Sequence, residues 1–273
     1  MNRAIADGLP LRRYEARKGE ARLALYRKVA PGRAGQAPVV VLVHGSSLCA
    51  LPTFDLDVPG HPDYSMMDWL ARTGFDVWTL DHEGYGDSTR TESNADVATG
   101  AADLEAAGRA IADITGRPRA HVYGMSSGAL RAAVYAAAYP NAIERLALDA
   151  FVWTGEGSPT LEKRRAGLDG FRAASRRAID RDFVTGIFTR DRPGTTELAV
   201  ADACATAQLA YGDSVPTGTY VDMTANLPLV DPAQILVPTL IVRGEFDGIA
   251  TEADLLAFFA RLPSNDKQFS VMP

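Results

Sequence analysis

The chain has 273 residues, of which 47% are hydrophobic and 23% charged, and this composition is typical of a folded globular protein. Its 28 Lys and Arg residues against 34 Asp and Glu residues give a net charge of -6, which gives no electrostatic support for nucleic-acid binding. No segment approaches the roughly 20 apolar residues of a membrane helix. Residues 1–11 contain Arg3 and Asp7 and no apolar run, so we expect no signal peptide and a cytoplasmic protein without a membrane partner.

The two cysteines, Cys49 and Cys204, belong to no CxxC or Cys/His motif. Their spacing indicates neither a structural zinc site nor a disulfide framework. No nucleotide or flavin motif occurs, and we expect no metal and no cofactor.

Short apolar runs alternate with helix-like segments along the chain. The predicted strands are residues 11–16, 21–29, 39–43, 77–80, 120–123, 143–148, 238–242 and 268–272. Unbroken β-branched runs such as residues 39–43 are typical of strands buried on both faces of a parallel sheet. The predicted helices are residues 66–73, 98–115, 127–139 and 251–261. The alternation predicts an α/β fold, a mostly parallel twisted sheet with helices on both faces.

Residues 154–234 interrupt this alternation. They lack a buried strand signature, contain a basic helix-like stretch over residues 163–177, and are punctuated by prolines. A structureless loop of this length is uncommon. We therefore expect a core domain of residues 1–153 and 235–273, with a helical cap of residues 154–234 inserted after the sixth strand.

The strongest local motif is Gly124-Met125-Ser126-Ser127-Gly128, which follows one predicted strand and precedes a predicted helix. A serine hydroxyl is a poor nucleophile unless it is held exposed beside a base and oxyanion donors. A sharp strand-to-helix turn holds it so, and flanking glycines let the two elements approach closely. The strand-turn-helix context favours Ser126 as a nucleophile over a purely structural turn.

Two more motifs follow predicted strands. In His44-Gly45-Ser46-Ser47 the glycine permits a turn that aims the Ser46 N–H into the site, and this N–H and that of Ser127 would form an oxyanion hole. We expect His44 itself to satisfy loop backbone groups. In the motif at residues 81–88, we expect Asp81 and Ser88 to hydrogen-bond the loop backbone.

An acidic residue also follows a late strand, in Gly244-Glu245-Phe246-Asp247. An Asp at the carboxyl end of a parallel strand is well placed to orient a catalytic histidine. Asp149, at the end of the strand before the insertion, is the second candidate for the same role.

Together these motifs resemble the α/β-hydrolase fold, in its group of serine esterases, lipases and cofactor-free peroxidases. The resemblance implies Ser126 as the nucleophile, the backbone N–H groups of Ser46 and Ser127 as the oxyanion hole, and Asp247 as the triad acid. Haloalkane dehalogenases and epoxide hydrolases of this fold carry an Asp at the strand-to-helix turn that holds the nucleophile, called the nucleophile elbow, whereas this chain has Ser126 there.

The general base is missing from the pattern. A triad needs a histidine that takes the serine proton and returns it to the leaving group, and the resemblance places it after the last strand. The four histidines, His44, His61, His82 and His121, lie elsewhere. We expect the base to follow Pro273 in a longer natural chain; the alternative is a variant without catalysis.

The predicted function is hydrolysis of a small carboxylic ester or lactone through an acyl-serine intermediate. A perhydrolase or a C–C bond hydrolase would use the same site, and a non-catalytic ligand-binding protein is the alternative of another class. Homo-oligomerisation stays open. Six aromatic side chains either line a pocket or belong to the core, and the core is favoured: Phe151, Trp153, Phe171, Phe183, Phe188 and Tyr211. The basic run Lys163-Arg164-Arg165 is interpreted as a solvated face.

Overall fold

The computed structural model describes residues 8–273. Arg3 and Asp7, which carry the expectation about a signal peptide, lie outside the described residues. Within the described range, no helix is both long enough and apolar enough to cross a bilayer.

The described residues form ten strands. In chain order they are β1 (Arg12–Lys18), β2 (Ala21–Val29), β3 (Val39–Val43), β4 (Asp76–Leu80), β5 (Ala120–Met125), β6 (Ile143–Asp149), β7 (Arg176–Ala178), β8 (Ser214–Pro216), β9 (Thr239–Gly244) and β10 (Lys267–Met272). Eight of them make one sheet in the order β1-β2-β4-β3-β5-β6-β9-β10. Strand β2 is antiparallel to both of its neighbours, and every other pairing in this sheet is parallel. The predicted α/β fold with a mostly parallel sheet is confirmed.

Ten α-helices accompany these strands in the described residues. They are α1 (Ala50–Phe54), α2 (Met66–Arg72), α3 (Val97–Thr115), α4 (Ser127–Ala138), α5 (Pro159–Arg165), α6 (Leu168–Ala173), α7 (Arg181–Thr189), α8 (Leu198–Leu209), α9 (Gly218–Val221) and α10 (Glu252–Arg261). Short 3₁₀ turns cover Pro140–Ala142 and Pro232–Gln234, and a π-helical turn covers Asp222–Asn226.

The core lies on both faces of the sheet. Strand β3 reads VVVLV and is buried throughout, and its side chains alternate between the two faces. Val39, Val41 and Val43 share one apolar cluster with α3, α4 and α10, whereas Val40 and Leu42 pack with α1 and α2. Helices therefore cover both faces, as predicted.

Residues 154–234 differ in detail from the sequence prediction. The expected helical stretch over residues 163–177 is broken: α5 ends at Arg165, Gly167 begins the turn into α6, and β7 starts at Arg176. Strand β7 pairs with β8 in an antiparallel ribbon, although no strand is predicted there. A strand of three residues is too short to show a periodic pattern, so the sequence carries no signal for it.

Candidate active site

Ser126 occupies a sharp turn between the last residue of β5 and the first residue of α4. Its backbone has φ 58° and ψ -126°, a strained conformation for a residue with a side chain. The Ser126 N–H donates to the Asp149 carbonyl oxygen at 2.8 Å, which ties the turn to the neighbouring strand. The structure thus places the predicted nucleophile at a strained turn of the kind expected for an elbow.

Both flanking glycines are required by close backbone contacts. A Cβ atom at Gly124 would lie 2.5 Å from the Gly128 carbonyl oxygen, and one at Gly128 would lie 2.2 Å from the Val43 carbonyl oxygen. Helix α4 therefore begins in direct contact with the end of β3. This approach places the N-terminal N–H groups of α4, which have no acceptor within the helix, beside Ser126.

The His44-Gly45 turn lies against Ser126, the predicted nucleophile. A Cβ at Gly45 would lie 3.3 Å from the Ser126 Cβ and 3.7 Å from its Oγ. Ser46 follows, nearly buried, and its carbonyl oxygen accepts hydrogen bonds from Tyr85 Oη at 3.1 Å and from Arg177 Nη2 at 3.3 Å. Since these donors hold the Ser46 carbonyl, the orientation of the loop beside Ser126 is fixed.

The two candidate acids have different surroundings. Asp247 Oδ1 accepts from the Ile249 N–H at 2.8 Å, whereas Asp247 Oδ2 is buried and has no hydrogen-bond partner among the described residues. Burial raises the pKa of the Asp247 carboxyl, and the nearby Asp191 and Asp149 add to this rise against the lowering effects of the Ile249 N–H and Arg243. Asp247 thus presents one unused acceptor.

Asp149 already has a partner. Its Oδ2 accepts a short hydrogen bond from the hydroxyl of Tyr123, which lies on the adjacent strand β5. Burial raises the pKa of the Asp149 carboxyl, while the Tyr123 hydroxyl and the Ala150 N–H lower it. Asp149 supports the elbow through its backbone and has less capacity left to orient a base.

His44 is fully buried and uses both ring nitrogens. Nδ1 lies 2.8 Å from the Gly45 carbonyl oxygen, and Nε2 accepts from the His82 N–H at 3.2 Å, which fixes the proton on Nδ1. Burial, together with the nearby His82 and Arg131, holds the pKa of His44 well below its usual range. His44 satisfies loop backbone groups and has no nitrogen free to act as a base.

The other histidines have partners outside the cavity that contains Ser126. His82 is fully buried, with Nδ1 3.0 Å from Asp103 Oδ2. His61 packs on Tyr64 with ring centroids 4.6 Å apart, and His121 packs on Phe75. Across residues 8–273, no histidine lines the cavity that contains Ser126.

The loop after β4 is organised by a buried carboxylate. Asp81 Oδ1 accepts from the Ala50 N–H at 2.8 Å, and Oδ2 accepts from the Asp87 N–H at 3.0 Å and from Tyr26 Oη at 2.8 Å. Ser88 Oγ donates to the Asp81 carbonyl oxygen at 2.6 Å. Both residues bind the backbone of this loop, as the sequence predicts.

A cavity of about 180 Å³ opens over Ser126. Its lining combines the elbow at Ser126, the His44-Gly45 turn, the loop after β9 that contains Asp247, and residues of α5 and α7. The lining residues are Gly45, Ser46, Ser47, Leu48, Thr53, Met125, Ser126, Ala150, Arg164, Ile187, Arg190, Asp247 and Ile249. The structure therefore brings Ser126, Ser46 and Asp247 to one space. The fully buried Ser127 adds its backbone next to Ser126.

One expectation about residues 154–234 changes here. Arg164 lines the cavity and is only partly exposed, so the interpretation of the whole run 163–165 as a solvated face is wrong for Arg164 and holds for the exposed Lys163 and Arg165. The six aromatic candidates do not line this cavity, in agreement with the favoured interpretation, and Phe151 and Trp153 belong to the main core cluster. Helix α5 has only seven residues. Its charge pattern is too short to indicate which of the basic residues points toward the cavity.

The family profile described as alpha/beta hydrolase fold matches residues 38–273. The chain belongs to this family. Among solved structures, it is similar to a hydrolase from Pseudomonas aeruginosa PA01, with 21% identity, a TM-score of 0.68, and coverage of 96% of this chain and 90% of that one.

Two further solved structures show the same fold. A thermophilic esterase from Thermogutta terrifontis, with malate bound, has 20% identity and a TM-score of 0.66, and the alignment covers 96% of this chain and 90% of that one. A bromoperoxidase from Bacillus anthracis has 18% identity and a TM-score of 0.65, and the alignment covers 96% of this chain and 91% of that one. The likeness to proteins of different activities shows the shared fold, and function has to be argued from the site.

Proposed function

We propose that the protein is a serine hydrolase that cleaves a carboxylic ester or lactone through an acyl intermediate on Ser126. One observation carries the proposal: Ser126, on its strained turn, lines the same cavity as Asp247, whose buried Oδ2 has no hydrogen-bond partner among the described residues. A nucleophile and a carboxylate with a free acceptor beside one cavity are two of the three parts of a triad.

The proposed reaction uses Ser126 as the nucleophile and the backbone of Ser46 and Ser127 as the oxyanion hole. Ser126 Oγ attacks the ester carbonyl carbon while its proton passes to a histidine base, and the oxyanion accepts hydrogen bonds from the N–H groups of Ser46 and Ser127. Collapse breaks the bond to the alcohol, which leaves with the proton from the base. Water, activated by the same base, then hydrolyses the acyl-serine and restores the Ser126 hydroxyl.

The base in this proposal is a histidine whose Nδ1–H donates to Asp247 Oδ2. Such a bond would use the acceptor that is free within residues 8–273 and would stabilise the imidazolium formed during attack. We place this histidine after Pro273, because none of the four histidines in the sequence lies at the cavity. Residues 154–234 act as a cap in this scheme, since they supply Arg164, Ile187 and Arg190 to the cavity wall.

The test combines covalent labelling with turnover. Residues 1–273 and the polypeptide read to the natural stop codon of the gene are each treated with a fluorophosphonate and with p-nitrophenyl butyrate. We expect the form that contains the base to label on the peptide carrying Ser126 and to hydrolyse the ester. Ser126→Ala should lose both properties, whereas Ser270→Ala, a change at an exposed serine on β10, should keep both.

Two outcomes would reject the proposal. If Ser126→Ala still labels and still hydrolyses the ester, the nucleophile lies elsewhere. If neither polypeptide labels or turns over, a non-catalytic ligand-binding role on this fold replaces the hydrolase.

A further inference from the structure

Three guanidinium groups gather where residues 154–234 meet the active-site cavity. Arg164 comes from α5, Arg177 from β7, and Arg190 from the end of α7. Arg164 and Arg190 line the cavity that contains Ser126. The guanidinium carbons of Arg164 and Arg177 lie 4.2 Å and 3.9 Å from the centroid of the Tyr220 ring, so both arginines are held in place by stacking on one aromatic side chain.

The charges of this group are incompletely balanced. Arg177 Nη2 donates to neutral acceptors, Ser47 Oγ at 2.8 Å and the Ser46 carbonyl oxygen at 3.3 Å. Arg190 Nε pairs with Asp191 Oδ2 at 3.3 Å. Arg164 has no carboxylate at ion-pair distance in the described part of the chain, and its Nη1 is buried without a hydrogen-bond partner.

Burying the charged side chain of Arg164 in this position is energetically unfavourable for the folded protein. Burial lowers the pKa of Arg164, and the like charges of Arg190 and Arg177 oppose the attraction of Tyr220 and Asp191. A buried donor without an acceptor, on a cation with no carboxylate at ion-pair distance in the described residues, loses hydration that stacking on Tyr220 replaces only in part. Such a group gains most from an anionic ligand that enters the cavity and accepts its hydrogen bonds.

We propose that Arg164, assisted by Arg190, binds a free carboxylate of the substrate, so that the ester cleaved at Ser126 carries a second, unesterified carboxyl group. This inference rests on the proposed function, because it places the ester at Ser126. The planar guanidinium fork suits a carboxylate in a bidentate contact. A cavity of about 180 Å³ selects a short substrate, such as the half-ester of a small dicarboxylic acid.

The first test compares two esters of similar length with the active polypeptide. p-Nitrophenyl hemiglutarate carries the carboxylate, and p-nitrophenyl valerate lacks it. Because charge-assisted hydrogen bonds are worth about 1.5–3 kcal/mol, Arg164→Gln should lower kcat/KM for the hemiglutarate about 10- to 100-fold and change valerate turnover less than about threefold. Arg164→Lys, which keeps the charge without the fork, should fall between.

Arg165→Gln is the matched control. Arg165 is the next residue of the same helix, is exposed, and pairs with Glu162 at 3.0 Å on the outer surface. This variant should handle both esters as the unchanged protein does. If Arg164→Gln lowers turnover of both esters equally, or if Arg165→Gln reproduces its selective loss, the assignment of Arg164 is overturned.

A second test separates this inference from the catalytic proposal. Glutarate binding to the Ser126→Ala variant is measured by calorimetry, with and without Arg164→Gln, and circular dichroism checks that both variants are folded. Binding that weakens at least tenfold without Arg164 supports the anion site, even if no ester is ever hydrolysed. If neutral esters are hydrolysed at Ser126 but glutarate does not bind, the inference fails and the hydrolase proposal stands.

Discussion

Gly128→Ala should destabilise the fold and displace the nucleophile. The added Cβ would lie 2.2 Å from the Val43 carbonyl oxygen and 2.6 Å from the His44 carbonyl oxygen, whereas ordinary carbon–oxygen contacts are about 3.3 Å. Helix α4 would have to withdraw from β3 by about 1 Å. Overpacking costs about 1–3 kcal/mol, and we expect a loss of about 3 kcal/mol because both opposing atoms are backbone oxygens, one at the end of the central strand β3 and one in the residue that follows it.

The same shift should impair catalysis. Ser126 is the residue before α4, so a withdrawal of the helix carries the nucleophile away from the Gly45-Ser46 turn. A misplacement of about 1 Å can lower a rate about 100-fold. The effect on kcat should therefore exceed what the reduced fraction of folded protein explains at a temperature where the variant is still folded.

Urea unfolding followed by circular dichroism measures the stability effect. The control is Gly186→Ala in α7, where a Cβ would meet nothing within 4 Å. Alanine is favoured over glycine inside a helix by about 0.5–1 kcal/mol, so this variant should be slightly more stable than the unchanged protein. A Gly128→Ala variant with an unchanged urea midpoint, or a Gly186→Ala variant that is equally damaged, would refute the argument from close contact.

Three other changes test the site and its surroundings. Asp247→Asn should lower kcat for p-nitrophenyl butyrate by up to about 10⁴-fold, and a larger loss in Asp149→Asn would exchange the two roles. Burial lowers the pKa of His44, so below about pH 6.5 the unfolded chain binds one more proton than the folded protein. The free energy of unfolding of the unchanged protein, relative to that of His44→Gln, should therefore fall by about 1.4 kcal/mol per pH unit in acid. Urea midpoints of the two proteins that change in parallel between about pH 7.5 and 5.5 would contradict this. Burial raises the pKa of both Cys49 and Cys204 to about 12, so iodoacetamide near pH 8 should modify neither thiol in the folded protein and both in denaturant, as read by mass spectrometry.

The central sheet was predictable because each of its strands has a local signature. Residues 39–43 are five consecutive apolar residues, and such a run is buried on both faces in β3. The turn at Ser126 was equally local, since Gly124 and Gly128 are required by contacts between elements adjacent in the chain or in the sheet. The position of β4 between β2 and β3 has no such local signal, because the order of strands depends on crossovers that periodicity does not encode.

Residues 154–234 were harder to predict for a physical reason. Helix α5 has seven residues, fewer than a periodic pattern needs to define an apolar face. Three consecutive basic residues on such a helix point about 100° apart, so the run looks like a solvated surface while its middle residue, Arg164, turns to the cavity. The residues that we propose bind the substrate's carboxylate are thus the ones whose orientation local patterning predicts least well.

The choice between Asp247 and Asp149 as the triad acid shows which part of the candidate site the sequence does not predict. Both lie at the carboxyl ends of parallel strands and both are half-buried, and sequence spacing favours neither decisively. What separates them is Tyr123, which pairs with Ala147 in the register of β5 and β6 and bonds the carboxylate of Asp149. Asp247 has no comparable donor on its Oδ2 among residues 8–273. A carboxylate orients a base only with an oxygen that the fold has left free, so the assignment of the acid depends on a hydroxyl carried by the neighbouring strand.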